Sequence, residues 1–223
     1  MQTITTTDLS NGAFPFRCAR EIEIGYAKVL CIRITYLGEL GYELYIPAEQ
    51  ATHVYDRIIE AGKKFNLRHA GLKALSSLRM EKGYRDYGHD IDNTDEPFEV
   101  GLGFAVDLKK PDGFIGKDAV VKKKAQTPMT RRLAQVLVKD PKPLLFHAEV
   151  VKRNGIPVGY VRAGSYGFSL GGAVGLFMIE AGESVNADYI AKGNWEVEIA
   201  ENIYPAEVSL RPFYDPEMRK IKV

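Results

Sequence analysis

Cysteine is scarce in this chain. Only Cys18 and Cys31 are present, too few for a disulfide framework or a zinc site. Cys31 stands in an alternating apolar run, the setting of a small core residue in a reducing compartment. The four histidines, His53, His69, His89 and His147, lack metal-ligand spacing and read as structural or exposed. Charge of one sign is not in excess either. Thirty Lys+Arg against twenty-nine Asp+Glu leave +1, without the basic footprint of a nucleic-acid partner. The longest apolar run, Ala173 to Ile179 around Gly175, is far too short to span a bilayer, so no membrane partner is expected. Met1-Gln2-Thr3-Ile4-Thr5-Thr6-Thr7-Asp8 offers neither the basic nor the apolar region of a secretory signal. These absences together predict a cytoplasmic location.

Motifs that carry chemistry are equally sparse. Gly101-Leu102-Gly103 lacks the third glycine of a dinucleotide-binding turn, and no phosphate-binding loop follows any strand. No serine occupies a nucleophile elbow. The run Asp90 to Glu96 invites a calcium loop, which would need glycine at its sixth position and a carboxylate at its twelfth. Asp95 and Gly101 stand there instead, so the run reads as a solvated loop. The basic stretch from Lys109 to Arg132 likewise reads as a solvated helix and linker.

What is there is globular: 45% hydrophobic, 26% charged and 10% aromatic residues over 223 positions. That length permits one large domain or two modest ones. Alternation of Leu30, Ile32, Ile34 and Tyr36 predicts a strand over 28–36, and a second follows over 41–46 as a hairpin. Helical spacing follows Pro47, through Val54, Tyr55, Ile58, Ile59 and Phe65. A second helix is expected over 73–82, with Leu72, Leu75 and Leu78 inward and Gly83 as its C-cap. A strand near 101–107, a turn at Pro111-Asp112-Gly113 and a helix over 117–124 come next. The polar stretch Lys122 to Pro128 is the best linker. Beyond it, short strand-like runs near 133–138, 148–151, 158–161, 174–179, 195–200 and 206–210 predict a sandwich or barrel, with Asn154-Gly155 and Gly171-Gly172 at turns. The fold class is therefore α+β, with residues 1–125 forming an α/β part and 126–223 an all-β part.

The most specific constellation is Tyr36-Leu37-Gly38-Glu39-Leu40-Gly41-Tyr42-Glu43-Leu44. By itself it is a glycine-bearing turn with surface charge. Period-two alternation, however, puts Glu43 on the face opposite Tyr42 and Leu44. If that face lines a cleft, its carboxylate can accept two adjacent N–H donors side by side. The N3–H and 2-amino group of a pterin present such an edge.

The pattern Tyr-x-Gly-Glu-x-Gly-x-Glu resembles the folate-site motif of the glycine cleavage T-protein family. The likeness continues through Ala70-Gly71-Leu72, Ser77 to Gly83, Tyr87 to Asp92 and Pro97-x-Glu99-x-Gly101-Leu102. It reaches Gly159-Tyr160-Val161-x-x-Gly164 and Ser169-Leu170 at the start of the family's C-terminal β-barrel. Asp8-Leu9-Ser10-Asn11-x-Ala13-Phe14-Pro15-Phe16, the Gly-Glu-Leu-Gly turn, Glu81 to Arg85 and Phe114 to Lys117 are similar to the folate-binding region of sarcosine and dimethylglycine dehydrogenases.

This resemblance implies a T-protein-type folate-binding α/β domain followed by a β-barrel. It also implies an aminomethyltransferase-like enzyme that passes the carbon of a small N-methylamine to tetrahydrofolate, giving 5,10-methylenetetrahydrofolate. Glu43 would hold the pterin, Tyr36 would stand beside the reacting carbon, and Tyr214 lies nearest to the family's C-terminal substrate-contacting tyrosine, in a different local pattern. Leu75 replaces the arginine with which the cleavage enzyme contacts folate. The family's catalytic aspartate and the dehydrogenases' FAD domain lie upstream of the matched region. The expectation is thus the C-terminal portion of a longer enzyme, partnered by an upstream flavin-domain chain or by a second copy. A non-catalytic folate-binding module on the same scaffold is the alternative. The location would be the mitochondrial matrix if the source is eukaryotic.

Overall fold

Glu21 and Glu23 alternate with Ile22 and Ile24, a pattern that lets one face of an extended segment enter a core while the other stays wet. In the computed structural model, which describes residues 1–222, this segment is strand β1 (Ala19–Ile24). It pairs antiparallel with β2 (Ala27–Ile32) across the two-residue turn Gly25-Tyr26, where Gly25 adopts φ 63°. Strand β3 (Glu43–Tyr45) then adds to β2, so the three-stranded order is β1-β2-β3. The hairpin expected between 28–36 and 41–46 is thus an open one: β2 ends at Ile32, and ten residues intervene before Glu43. The tight hairpin lies one strand earlier. Ile22, Ile24, Val29 and Cys31 point to one side and pack with Leu9, Phe14 and Val54. Val54 comes from helix α1 (Ala51–Gly62), which follows a single 3-10 turn at Ala48–Gln50 after Pro47. Burial pushes the Cys31 thiol up to about 11, which keeps it protonated and inert at neutral pH.

The chain divides into two compact units, Met1–Leu75 with Glu217–Val223, and Ser76–Pro216. Helix α2 (Leu72–Glu81) runs through the division. Its buried residues are Ser77, Arg79, Met80 and Glu81, whereas Leu72 is 79% exposed. The expected Leu72–Leu75–Leu78 face is therefore not the buried one: satisfied polar groups hold the inner side of this helix. Gly83 closes it with φ 62°. Residues 101–107 form turns and a short 3-10 piece (Gly103–Ala105) rather than a strand. Gly101 at φ 71° breaks the extension there. Helix α3 (Lys117–Lys124) buries no residue, as its lysine-rich sequence requires.

Six strands then close a barrel: β4 (Arg131–Val138), β5 (Val150–Arg153), β6 (Ile156–Gly167), β7 (Gly172–Glu180), β8 (Trp195–Ile199) and β9 (Asn202–Ser209). The neighbour order is β4-β7-β6-β5-β8-β9, and every pairing is antiparallel. Asn154 and Gly155 both take positive φ between Arg153 and Ile156, the backbone a two-residue hairpin needs. A helical turn, α4 (Ala187–Ala191), precedes β8 and is capped by the Asn186 side chain. Strand β7 is apolar on both faces for a physical reason. Ala173, Phe177 and Ile179 join one core cluster with Val136, Val161 and Val197. The alternate residues Val174, Leu176 and Met178 join a second cluster with Met80, Ile91 and Val100. A strand covered on both sides reads as a continuous apolar run.

Candidate functional site

The turn Tyr36–Glu43 is shaped by its glycines. Gly38 is buried at φ 82°, a conformation that disfavours a side chain. At Gly41 a Cβ would stand 2.9 Å from the Ile34 carbonyl oxygen, so only glycine lets the chain return this closely. Thr35 Oγ1 accepts the Leu37 N–H at 3.1 Å and tightens the entry. Below the turn, Arg33 is 2% exposed. Its guanidinium donates to the Phe14 carbonyl at 2.8 Å and to the Asn11 side chain. The Asp8–Phe16 motif is thereby pinned to the exit of β2. Phe14 stacks on Tyr42 with ring centroids 6.1 Å apart.

This packing sets the faces of β3. Tyr42 and Leu44 pack on the core that contains Cys31, and Leu44 lies opposite Cys31 in the register. Glu43 and Tyr45 consequently occupy the outer face, directly opposite Ile32 and Leu30. Glu43 is exposed, and Tyr45 Oη donates to its Oε2 at 3.0 Å. Leu30 and Tyr45 are 41% and 55% exposed. The carboxylate thus stands beside an apolar strip on an open sheet face. Tyr36 is half-buried in the same turn.

Tyr214 lies in the second unit, half-buried, in a segment held at the end of α2. The Phe213 N–H donates to Gln135 Oε1 at 2.7 Å, and the Gln135 amide donates to the Met80 and Glu81 carbonyls. Lys82, buried, reaches the carboxylate of Asp215 at 3.1 Å.

The motif residues downstream of the turn do structural work. Arg79 forms a two-pronged pair with Asp90, whose side chain is wholly buried. One oxygen of Glu81 accepts the backbone N–H groups of Ser169, at 2.6 Å, and of Leu170, at 3.1 Å. Asp95 receives Arg131 at 3.0 Å and Arg162 at 2.6 Å. The run 90–96 is therefore not uniformly solvated: Asp90 and Asp95 are enclosed ion-pair acceptors, and Asp92 is exposed. Beside this network lies a polar cavity of ≈ 370 Å³, lined among others by His89, Asp92, Arg131, His147, Tyr160 and Arg162. Among the described residues no group of three His, Cys, Asp or Glu could hold a metal ion, and no helix is long and apolar enough to cross a membrane.

Tyr45 and Arg33 carry no sequence motif of their own, and Asp95 stands in a run that reads as solvated. Alternation places Tyr45 on the face of Glu43, which was a usable signal. The other two act through partners 22 and 67 positions away, a separation that no local pattern encodes.

Comparison with known proteins agrees with this architecture. Residues 1–110 match the GCVT N-terminal domain and residues 131–215 the glycine cleavage T-protein C-terminal barrel domain. The chain is 41% identical over 222 residues to 4-methylaminobutanoate oxidase (formaldehyde-forming) of Paenarthrobacter nicotinovorans, covering 100% of this chain and 26% of that protein. It is 35% identical over 224 residues to the mitochondrial sarcosine dehydrogenase of Mus musculus, covering 100% and 24%. The chain thus spans about a quarter of the length of these relatives. The crystal structure of the glycine cleavage system aminomethyltransferase T from Bartonella henselae shares the fold, with a TM-score of 0.74 over 90% of this chain and 53% of that one, at 23% identity. With both of its domains matched in order, the chain belongs to the glycine cleavage T-protein family.

Proposed function

We propose that this chain is a tetrahydrofolate-binding, one-carbon transfer region. It would take the carbon of an N-methylated glycine such as sarcosine or dimethylglycine and yield 5,10-methylenetetrahydrofolate. Tetrahydrofolate supplies the nucleophilic N5 for that transfer. The residues of this chain orient it, and Glu43 carries the reading. Its carboxylate presents acceptor oxygens beside Ile32, Leu30 and Tyr45, chemistry that suits a flat ring with two adjacent N–H donors on one edge. Tyr36, in the same turn, is assigned to the neighbourhood of the reacting carbon, and Tyr214 to folate contact.

Glu43 stands on an open face, so the reading requires further protein surface to exclude water from the reacting centre. The main acid–base carboxylate and FAD are assigned to that additional protein. The greater length of the relatives supports this division of labour. The cytoplasm, or the matrix in a mitochondrial host, is the compartment proposed.

Titration calorimetry with tetrahydrofolate tests the assignment. Glu43→Gln exchanges one acceptor for a donor that faces donors, so the affinity should fall about 10- to 100-fold. Equal affinity of the two proteins overturns it. The exposure of Glu43 favours a second reading, a folate-binding module without transfer activity. Tight binding with no transfer from an aminomethyl donor, even with the relatives' remaining domains supplied, would select that reading.

A further inference from the structure

Glu43 does not stand alone on its face. Residues two apart on a strand project from the same side, and Tyr45 uses that spacing to place its hydroxyl 3.0 Å from Glu43 Oε2. The Tyr45 ring lies opposite Leu30 on β2 and Glu43 lies opposite Ile32, so ring, carboxylate and two aliphatic side chains form one patch. A glutamate on an exposed strand has three freely rotating side-chain torsions. The hydrogen bond from the Tyr45 hydroxyl restricts that freedom. It also occupies one lone pair of Oε2 and leaves Oε1 free of Tyr45.

We propose that Tyr45 is the positioning residue for Glu43: its hydroxyl fixes the carboxylate so that the remaining acceptor sites face a ligand lying on the Leu30–Ile32–Tyr45 strip. This rests on the assignment of Glu43 to folate. Tyr45 is a donor in this role, and the neighbouring carboxylate keeps it one. The hydrogen bond to Glu43, then the negative charge of Glu43, then desolvation hold the phenol above its ordinary value. The other charged side chains on this face are Glu21 and Glu23 of β1 and Lys28 of β2, by the strand register. They remain in every variant below.

The experiment is a double-mutant cycle read by two methods on the full chain. In calorimetry with tetrahydrofolate, Tyr45→Phe should weaken binding about 3- to 10-fold, the worth of one hydrogen bond. In the Glu43→Gln background the same change should do almost nothing. The second readout needs no ligand. The ring-carbon resonance of Tyr45, identified by its loss in Tyr45→Phe, should titrate at lower pH in Glu43→Gln than in the parent protein. If Tyr45→Phe leaves affinity unchanged while Glu43→Gln lowers it, the positioning role is overturned and the folate assignment stands. Equal losses in both backgrounds also overturn it. If Glu43→Gln leaves affinity unchanged, the folate assignment falls and takes the positioning role with it. A Tyr45 titration unmoved by Glu43→Gln overturns the coupling of the two side chains outright.

Discussion

At the scale of single residues, Asp95 holds two arginines with one carboxylate. Its side chain is 1% exposed, and Arg162 and Arg131 bind separate oxygens. The Asp92 N–H adds a third bond at 3.1 Å. Burial by itself would raise its pKa. The hydrogen bonds from Arg162 and the Asp92 backbone, with the charges of both arginines, outweigh that and hold the carboxyl below its ordinary value. A carboxylate with a lowered folded-state pKa contributes stability above its unfolded value of about 3.9 and loses it as pH falls through the folded value. Asp95→Asn should therefore cost about 2–3 kcal/mol at pH 7, less than a fully enclosed pair because Arg131 keeps Glu99 and Glu180. In urea denaturation the gap from the parent protein should narrow below about pH 4. A gap that stays constant down to pH 2 would exclude this linkage.

At the scale of elements, β6 shows why glycines recur along one strand. A Cβ at Gly164 would stand 2.6 Å from the Leu145 carbonyl carbon and from Leu145 Cβ, because the Gly164 N–H donates to the Phe146 carbonyl at 2.7 Å. A Cβ at Gly159 would run into the Met178 carbonyl oxygen. These two glycines belong to the Gly159-Tyr160-Val161-x-x-Gly164 motif, and the motif is one of close approach. Gly164→Ala should lower unfolding stability by about 1–3 kcal/mol, and a variant as stable as the parent would show that residues 145–146 yield freely. The strands of the barrel and helices α1 and α3 were legible from turn residues and periodicity. Strand β1 has its own signal in the alternation Glu21-Ile22-Glu23-Ile24. The inner face of α2 is hidden from local pattern, because Arg79 and Glu81 look like surface charge and their partners lie 11 and 88 positions away.

At the scale of the whole molecule, Met80, Ile91 and Val100 share one apolar cluster with Leu133, Leu176 and Met178 of the barrel. The basic segment between them, α3 included, buries almost nothing. Trypsin should therefore cut first between Lys109 and Lys124. The resulting pieces should still elute together in gel filtration, held by that shared cluster. Separation of the fragments, or a first cut inside a barrel strand, would contradict this packing. The barrel, helices α1 and α3 and the glycine turn at Tyr36–Glu43 follow from the sequence, since alternation, turn glycines and caps act over a few residues. Which polar side chains lie inside, and that Tyr45 meets Glu43 on an open sheet face, was decided by tertiary structure. Burial and ion pairing depend on what the chain brings back from tens of residues away, and one strand's periodicity leaves open what covers each of its faces.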